Sequence, residues 1–282
     1  MNLDSLKELA ANLPEPFKAN AEALLDRMGT VVEGIGDEPI LWRPPLAKLV
    51  QPTTDRSKLP KGVSAGDILL GEEKQELPIG GIPISTSNIR QFWSPDQNEN
   101  KMLCSSPDAK LGYIGVNCNE CPHSKFNEET RKSECNKVKQ VIVIKEDLSD
   151  IFVMNFHKTN YAIGMEWEGM MKKAGVAPYR RIYSISSETN KKYKTIESLV
   201  VETRTGDERA PKAELVPFLT ELFNVIRAER KESLDKFYEI VKERKQDQNL
   251  LPNETAADNE VVLIEDSSDS ASTSSMASKY SV

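Results

Sequence analysis

Apolar residues recur at helical spacing through residues 3–29, LDSLKELAANLPEPFKANAEALLDRMG, and Pro14 and Pro16 interrupt the run. Proline has no amide proton to give an inner helical turn, so one helix is expected to end there and a second to begin. Gly29 and Gly34 mark the exit. From 38 to 93 the pattern shortens into apolar runs, LAKLV, DILLG, LPIGGIPI and IRQFW, separated by Pro and Gly. Such spacing predicts the short strands of an all-β barrel or sandwich. VKQVIVI (138–144) and IFVMNFH (151–157) predict two more strands about a turn at 145–150.

Beyond them, Thr159 or Asn160 is placed to cap a short helix, NYAIGMEWEGMMKKAG, which Gly175 and Pro178 would stop. YRRIYSISS and YKTIESLVVETR flank the turn ETNKK and predict a hairpin. From Pro211 to about Gln246 the period is helical again. Leu215, Phe218, Leu219, Leu222, Phe223 and Ile226 share a face that Leu234, Phe237, Tyr238 and Val241 continue. The remaining residues, rich in Ser, Asp, Ala and Asn, hold too little apolar surface to fold and are expected to be disordered.

Composition narrows the class. The 282 residues are 38% hydrophobic and 29% charged, with a mean hydropathy of −0.49. No apolar run nears the roughly 20 residues of a membrane span. The start, MNLDSLKELAANLPEPF, lacks the basic and apolar regions of a secretory leader, so a cytoplasmic location and no membrane partner are expected. The net charge of −7 is unevenly spread. Residues 253–282 carry six acids against Lys279, whereas residues 172–194 carry seven bases against Glu188. A basic patch in the body and an acidic tail is the asymmetry that function must explain.

The four cysteines, Cys104, Cys118, Cys121 and Cys135, fit C-x13-C-x2-C-x13-C. The central CxxC turns two thiolates toward one ion, and the long arms return the outer pair to complete a tetrahedron. Four soft ligands favour Zn²⁺ over Mg²⁺ or Ca²⁺. Disulfides are not expected without an export signal, and a redox CxxC would not require the outer pair. An iron–sulfur cluster is chemically possible, but the spacing matches neither common ferredoxin pattern. His123 is a spare ligand candidate, more simply a residue just outside the ligand set. A catalytic zinc would keep an open position, and no HxE supplies a deaminase ligand and base; His157, the other histidine, falls mid-strand. The metal is therefore read as a structural staple.

KKAGVAPYRRIYSISSETNKKYK mixes Lys172, Lys173, Arg180, Arg181, Lys191, Lys192 and Lys194 with Tyr179, Tyr183 and Tyr193. Single-strand binders use this mixture, cations along the phosphates and aromatic faces under the bases. Strand alternation would carry Arg181 and Tyr183 outward together. The competing reading is a hairpin whose lysines keep an edge soluble. Phe92 and Trp93 are further stacking candidates, although large aromatics in strands are more often core. The tail, with Glu265, Asp266 and Asp269 beside VVLI and Lys279 and Tyr280 near its end, is suited to partner proteins and to weak occupation of the basic groove. A plain solubilising tail is the alternative.

LCSSPDAKLGYIGVNCNECPHSKF followed by a fourth cysteine, preceded by PPLAKLVQP and AGDILLG, resembles phage-encoded single-stranded-DNA-binding proteins of the N4-like kind. It is similar, more loosely, to phage helix-destabilising proteins with a zinc subdomain inserted in an OB-fold. The T4-type member uses a histidine among its zinc ligands, whereas this chain offers four cysteines, and the tail lacks the Pro-Phe end of cellular single-strand binders. The resemblance implies replication, recombination or transcription proteins as tail partners, host RNA polymerase among them, and a location in the host cytoplasm.

The expected protein is thus mainly β. An OB-fold-like nucleic-acid-binding domain at 35–205 carries a zinc insertion at 104–135. A helical segment at 1–34, a helix at 206–248 and a disordered acidic tail at 249–282 flank it. The expected function is non-enzymatic coating of single-stranded DNA. The alternative is a zinc-stapled transcription or interaction factor without single-strand specificity. A nuclease would need a carboxylate cluster; Glu166 and Glu168 are two apart on a predicted helix and share no face.

Overall fold

The computed structural model describes residues 3–29, 44–95, 101–129, 132–190 and 196–244, with backbone alone at 31–32, 40–41 and 245–250. Two helices, α1 (Asp4–Ala11) and α2 (Phe17–Gly29), divide the N-terminal periodic run at the two prolines. Leu6 and Ala10 of the first, and Ala21, Leu24, Leu25 and Met28 of the second, are buried at three- and four-residue steps. Next come β1 (Val31–Val32) paired with β2 (Ile40–Leu41), then a small antiparallel sheet of β3 (Ala47–Leu49), β4 (Ile68–Leu70) and β5 (Glu73–Lys74).

The runs LPIGGIPI and IRQFW, expected as separate strands, form one, β6 (Ile79–Trp93). Its glycines serve close packing rather than a turn. A Cβ at Gly81 would lie 2.5 Å from Ile185 Cδ1 and 2.8 Å from Val143 Cγ1. The remaining elements are β7 (Met102–Ser106), β8 (Cys135–Lys145), β9 (Ile151–His157), α3 (Tyr161–Lys173), β10 (Tyr183–Thr189), β11 (Glu197–Thr203) and α4 (Val216–Leu250). Asn160 stands at the N-cap of α3 without capping it; its Oδ1 accepts instead from the Leu199 amide at 3.1 Å.

The main sheet runs β11-β10-β6-β8-β9, with β7 pairing the far part of β6. The fold is mainly β with antiparallel sheets plus helices. Among the described residues strand pairing does not close into a ring. The segment from Pro45 to Gln51 nevertheless touches both edges. Leu46 bridges Val153 of β9 in parallel, and the Val153 amide donates to the Pro45 carbonyl at 2.9 Å. The Gln51 amide group exchanges two 3.0 Å hydrogen bonds with the Glu197 backbone of β11. Among the described residues no helix is long and apolar enough to cross a membrane.

The chain divides into two compact units, residues 1–87 with 139–231, and 88–138 with 232–282. In the first, both faces of the sheet are buried. One cluster joins Ile82, Ile84 and Ile144 to α1, α2 and Phe218, Leu219 and Leu222 of α4. The other joins Ile79, Val141, Val143 and Ile185 to Phe152, Phe156 and Trp167. Trp167 meets Phe156 and Tyr183 edge-on, at 5.8 and 5.5 Å between ring centres, an arrangement the ring quadrupoles favour.

Lys139 lies in this unit with its side chain 1% exposed, its ammonium 2.7 Å from Glu168 of α3; Lys172 approaches the same carboxylate at 3.1 Å. Burial pushes the Glu168 carboxyl up, but the hydrogen bonds and charges of Lys139 and Lys172 outweigh it and hold it below its ordinary value. The pair therefore contributes stability above the ordinary carboxylate range and loses it as pH falls through the depressed value. Glu168→Ala, which removes the carboxylate beside the buried ammonium, should cost about 3–5 kcal/mol at neutral pH and flatten the acid limb of the stability profile measured by urea unfolding. On the same helix a Cβ at Gly164 would lie 2.7 Å from Phe156 Cβ. Gly164→Ala should accordingly lower stability by a net ~1–2 kcal/mol, read as a lower urea midpoint, overpacking outweighing the helix propensity gained.

Candidate metal centre and nucleic-acid interface

In the second unit, β7 pairs with β6 so that Phe92 stands opposite Cys104, while Cys135 opens β8. The CxxC lies on a tight turn between them. The Asn117 carbonyl accepts from the Glu120 and Cys121 amides, both at 3.0 Å, and Asn117 Oδ1 accepts from the Asn119 amide at 2.9 Å. Ser124 Oγ then donates to the Cys118 and Cys121 carbonyls at 2.5 and 2.8 Å, which fixes the turn from behind. The four cysteines line one cavity of about 20 Å³, room for about one water-sized sphere. All four are free thiols, and Cys118 and Cys135 are buried.

The surroundings suit an ion held by sulfur. Gly112 borders the cavity, where a Cβ would lie 2.9 Å from Cys104 Sγ. Arg90 also lines it, 8% exposed, with Nε and Nη1 lacking any hydrogen-bond partner. Burial raises the Cys118 thiol above its ordinary pKa against a hydrogen bond from Ser106 and the Arg90 charge. Burial likewise raises Cys135 against Arg90. Deprotonating such thiols is work that a bound cation performs. Among the described residues no three His, Cys, Asp or Glu side chains stand at metal-ligand geometry. The donor chemistry, four thiols lining one cavity, is of the type that holds Zn²⁺. His123 lines the cavity, but its Nδ1 lies 2.5 Å from Glu134 Oε2 and its ring stacks on Phe92 at 4.2 Å.

The far part of α4 belongs to the same unit. Tyr238 donates to Asp108 Oδ2 at 2.5 Å, and this bond pushes its phenol up to about 12. Phe237 sits 6.4 Å from Tyr113, over which the Arg244 guanidinium lies at 3.9 Å. The helical stripe was legible in the sequence, but its aromatic end packing beside the cysteine loop was not.

In the first unit the basic residues line two adjoining grooves. One, of about 460 Å³, is bordered by Lys173, Arg181, Arg204 and Arg209. The other, of about 510 Å³, is bordered by Tyr179, Arg180, Arg181 and Arg209. Arg204 is held by Glu146 in a two-point ion pair at 2.5 and 3.1 Å, and the exposed Lys172 leans on Glu168. Arg204 and Arg209 are additions that sequence reading missed, since they lie past the hairpin and only the fold returns them to Arg181.

Tyr183 requires a correction. It is 1% exposed, with its ring against Trp167, so no base can stack on it. Alternation fails because Arg181 leaves a 3-10 turn (Pro178–Arg180) and the strand starts only at Tyr183. Tyr183 and Ile185 then share the inner face, while Ser184 accepts from Arg204 Nε at 3.2 Å. Trp93, just past a register shift in β6, is 36% exposed. Lys191, Lys192, Tyr193 and Lys194 lie outside the described residues, as do Glu265, Asp266, Asp269, Lys279 and Tyr280 of the tail. The chain matches no protein-family model, no curated protein and no solved structure.

Proposed function

We propose that this chain is a non-enzymatic single-stranded-DNA-binding protein, an OB-type barrel with an insertion stapled by Zn²⁺ on four cysteines. The observation that carries the reading is the path of the main sheet. β6, β8 and β9 are successive neighbours, α3 follows, and the β10–β11 hairpin returns to pair β10 with β6. That path supports a five-stranded, partly open Greek-key barrel, a fold whose strands two and three and loops 1–2 and 4–5 bind oligonucleotides. The Pro45–Gln51 segment, tied to both edges, supports closure. In this frame loop 1–2 is the cysteine-bearing insertion after Trp93, and loop 4–5 is the sequence with Lys191, Lys192, Tyr193 and Lys194.

Each part then has a task. Lys173, Arg180, Arg181 and Arg209 neutralise phosphates, with Lys172 and the loop 4–5 lysines adding to the field. Trp93 and Tyr193 offer faces for bases. Zinc, when bound, supplies the cross-links that order a polar loop with few apolar residues. The acidic tail recruits replication, recombination or transcription proteins.

Fluorescence anisotropy on labelled oligo-dT tests the reading. Binding should weaken with salt at a log–log slope of about −0.7 per phosphate contact, and duplex DNA should compete poorly. The Arg181→Ala/Arg209→Ala double variant should make that slope shallower by about 1.4. Trp93→Ala should cost on the order of 1–3 kcal/mol of binding, whereas Tyr183→Phe should leave affinity unchanged. Absence of binding at low salt, or equal competition by duplex, rejects the single-strand assignment. For the staple, metal analysis should find one zinc per chain, lost in Cys118→Ser.

A further inference from the structure

Arg90 poses a problem of charge. It sits on β6 opposite Ser106, 8% exposed, and Nε and Nη1 have no hydrogen-bond partner. A guanidinium is a cation with five N–H donors and no acceptor. A buried cation is tolerated only when an anion offsets it. Yet the residues around its cavity include no Asp and no Glu; they are the four cysteines, Phe92, His123, serines, Gly112, Ile114 and Val116. Neutral thiols cannot balance the charge. Four thiolates around a divalent ion can, because that assembly carries a net charge of −2 and has sulfur lone pairs to accept N–H donors.

We propose that Arg90 is the built-in counter-cation of a tetrathiolate zinc centre formed by Cys104, Cys118, Cys121 and Cys135. The inference rests on the zinc reading above and adds to it a residue that touches the ligands and not the metal. Its guanidinium halves the net charge of the loaded site and lines the same cavity as the four sulfurs. In the metal-free protein no carboxylate lines the cavity that holds this cation. Arg90 therefore favours the loaded state twice, by stabilising it and by destabilising the empty one.

The test uses the full-length chain and two variants, Arg90→Met, which keeps volume without charge, and Arg90→Lys. Zinc affinity is measured by competition with a chromophoric chelator, and Co²⁺ substitution reports the ligand set through its sulfur charge-transfer and tetrahedral bands. Arg90→Met should keep the cobalt spectrum but bind zinc about 10–100-fold more weakly, with Arg90→Lys recovering part of the loss. The metal-free Arg90→Met protein should melt no lower than metal-free wild type, a result that a mere packing role would not give. Arg90→Met binding zinc as tightly as wild type overturns the role of Arg90 and leaves the zinc centre standing. A wild-type protein that takes up no zinc, or a cobalt spectrum without sulfur bands, overturns the centre and this inference together.

Discussion

The structure depends on burying β6 from both sides. Residues Ile79 to Ile84 are all buried, with Ile82 and Ile84 in the cluster of α1, α2 and α4 and Ile79 in the cluster of Phe152, Phe156 and Trp167. A strand so placed can spare no volume, which is why Gly80 and Gly81 sit where neighbouring side chains close over the backbone. The same strand orders everything that pairs with it. β10 fixes the start of the hairpin, β8 continues the sheet, and β7 brings Cys104 opposite Phe92.

Two buried cations show how one chemical problem takes two forms. Lys139 is offset by Glu168, reached from α3, and the pair is complete within the protein. Arg90 has four thiols and no carboxylate among the residues lining its cavity, and two orphaned nitrogens. A satisfied ion pair rigidifies its surroundings, whereas an unsatisfied one marks a place whose proper charge state includes something more. The proposed zinc centre would supply that charge through its ligands.

The proposed DNA-binding surface has a comparable economy. Arginines leaving one 3-10 turn meet an arginine from the segment after β11, so phosphate-binding groups come from chain stretches that local pattern cannot connect. Aromatic faces come from elsewhere, because Tyr183 is committed to the core.

Local periodicity was enough to place α1, α2, α3, α4, the β10–β11 hairpin and the β8 and β9 strands, since each depends on residues a few positions apart. Cysteine spacing alone picked out the side chains that share one cavity, because a CxxC turn and two returning arms leave few other arrangements. Other features were decided only by tertiary structure. Whether Tyr183 faces in or out depends on where β10 begins and on Trp167 waiting beneath it. Whether the GG pair breaks β6 depends on the side chains that close over it, Ile185 and Val143 at Gly81 and Glu146 and Arg204 at Gly80. Arg90 reads as an ordinary polar strand residue until β7 and the cysteine turn enclose it. The sequence by itself determined most of the elements, though not the continuity of β6, and the chemical types brought into play. Contacts between residues far apart in the chain decided which of those groups are buried, paired or left open, because burial and charge compensation belong to neighbourhoods that only the folded chain assembles.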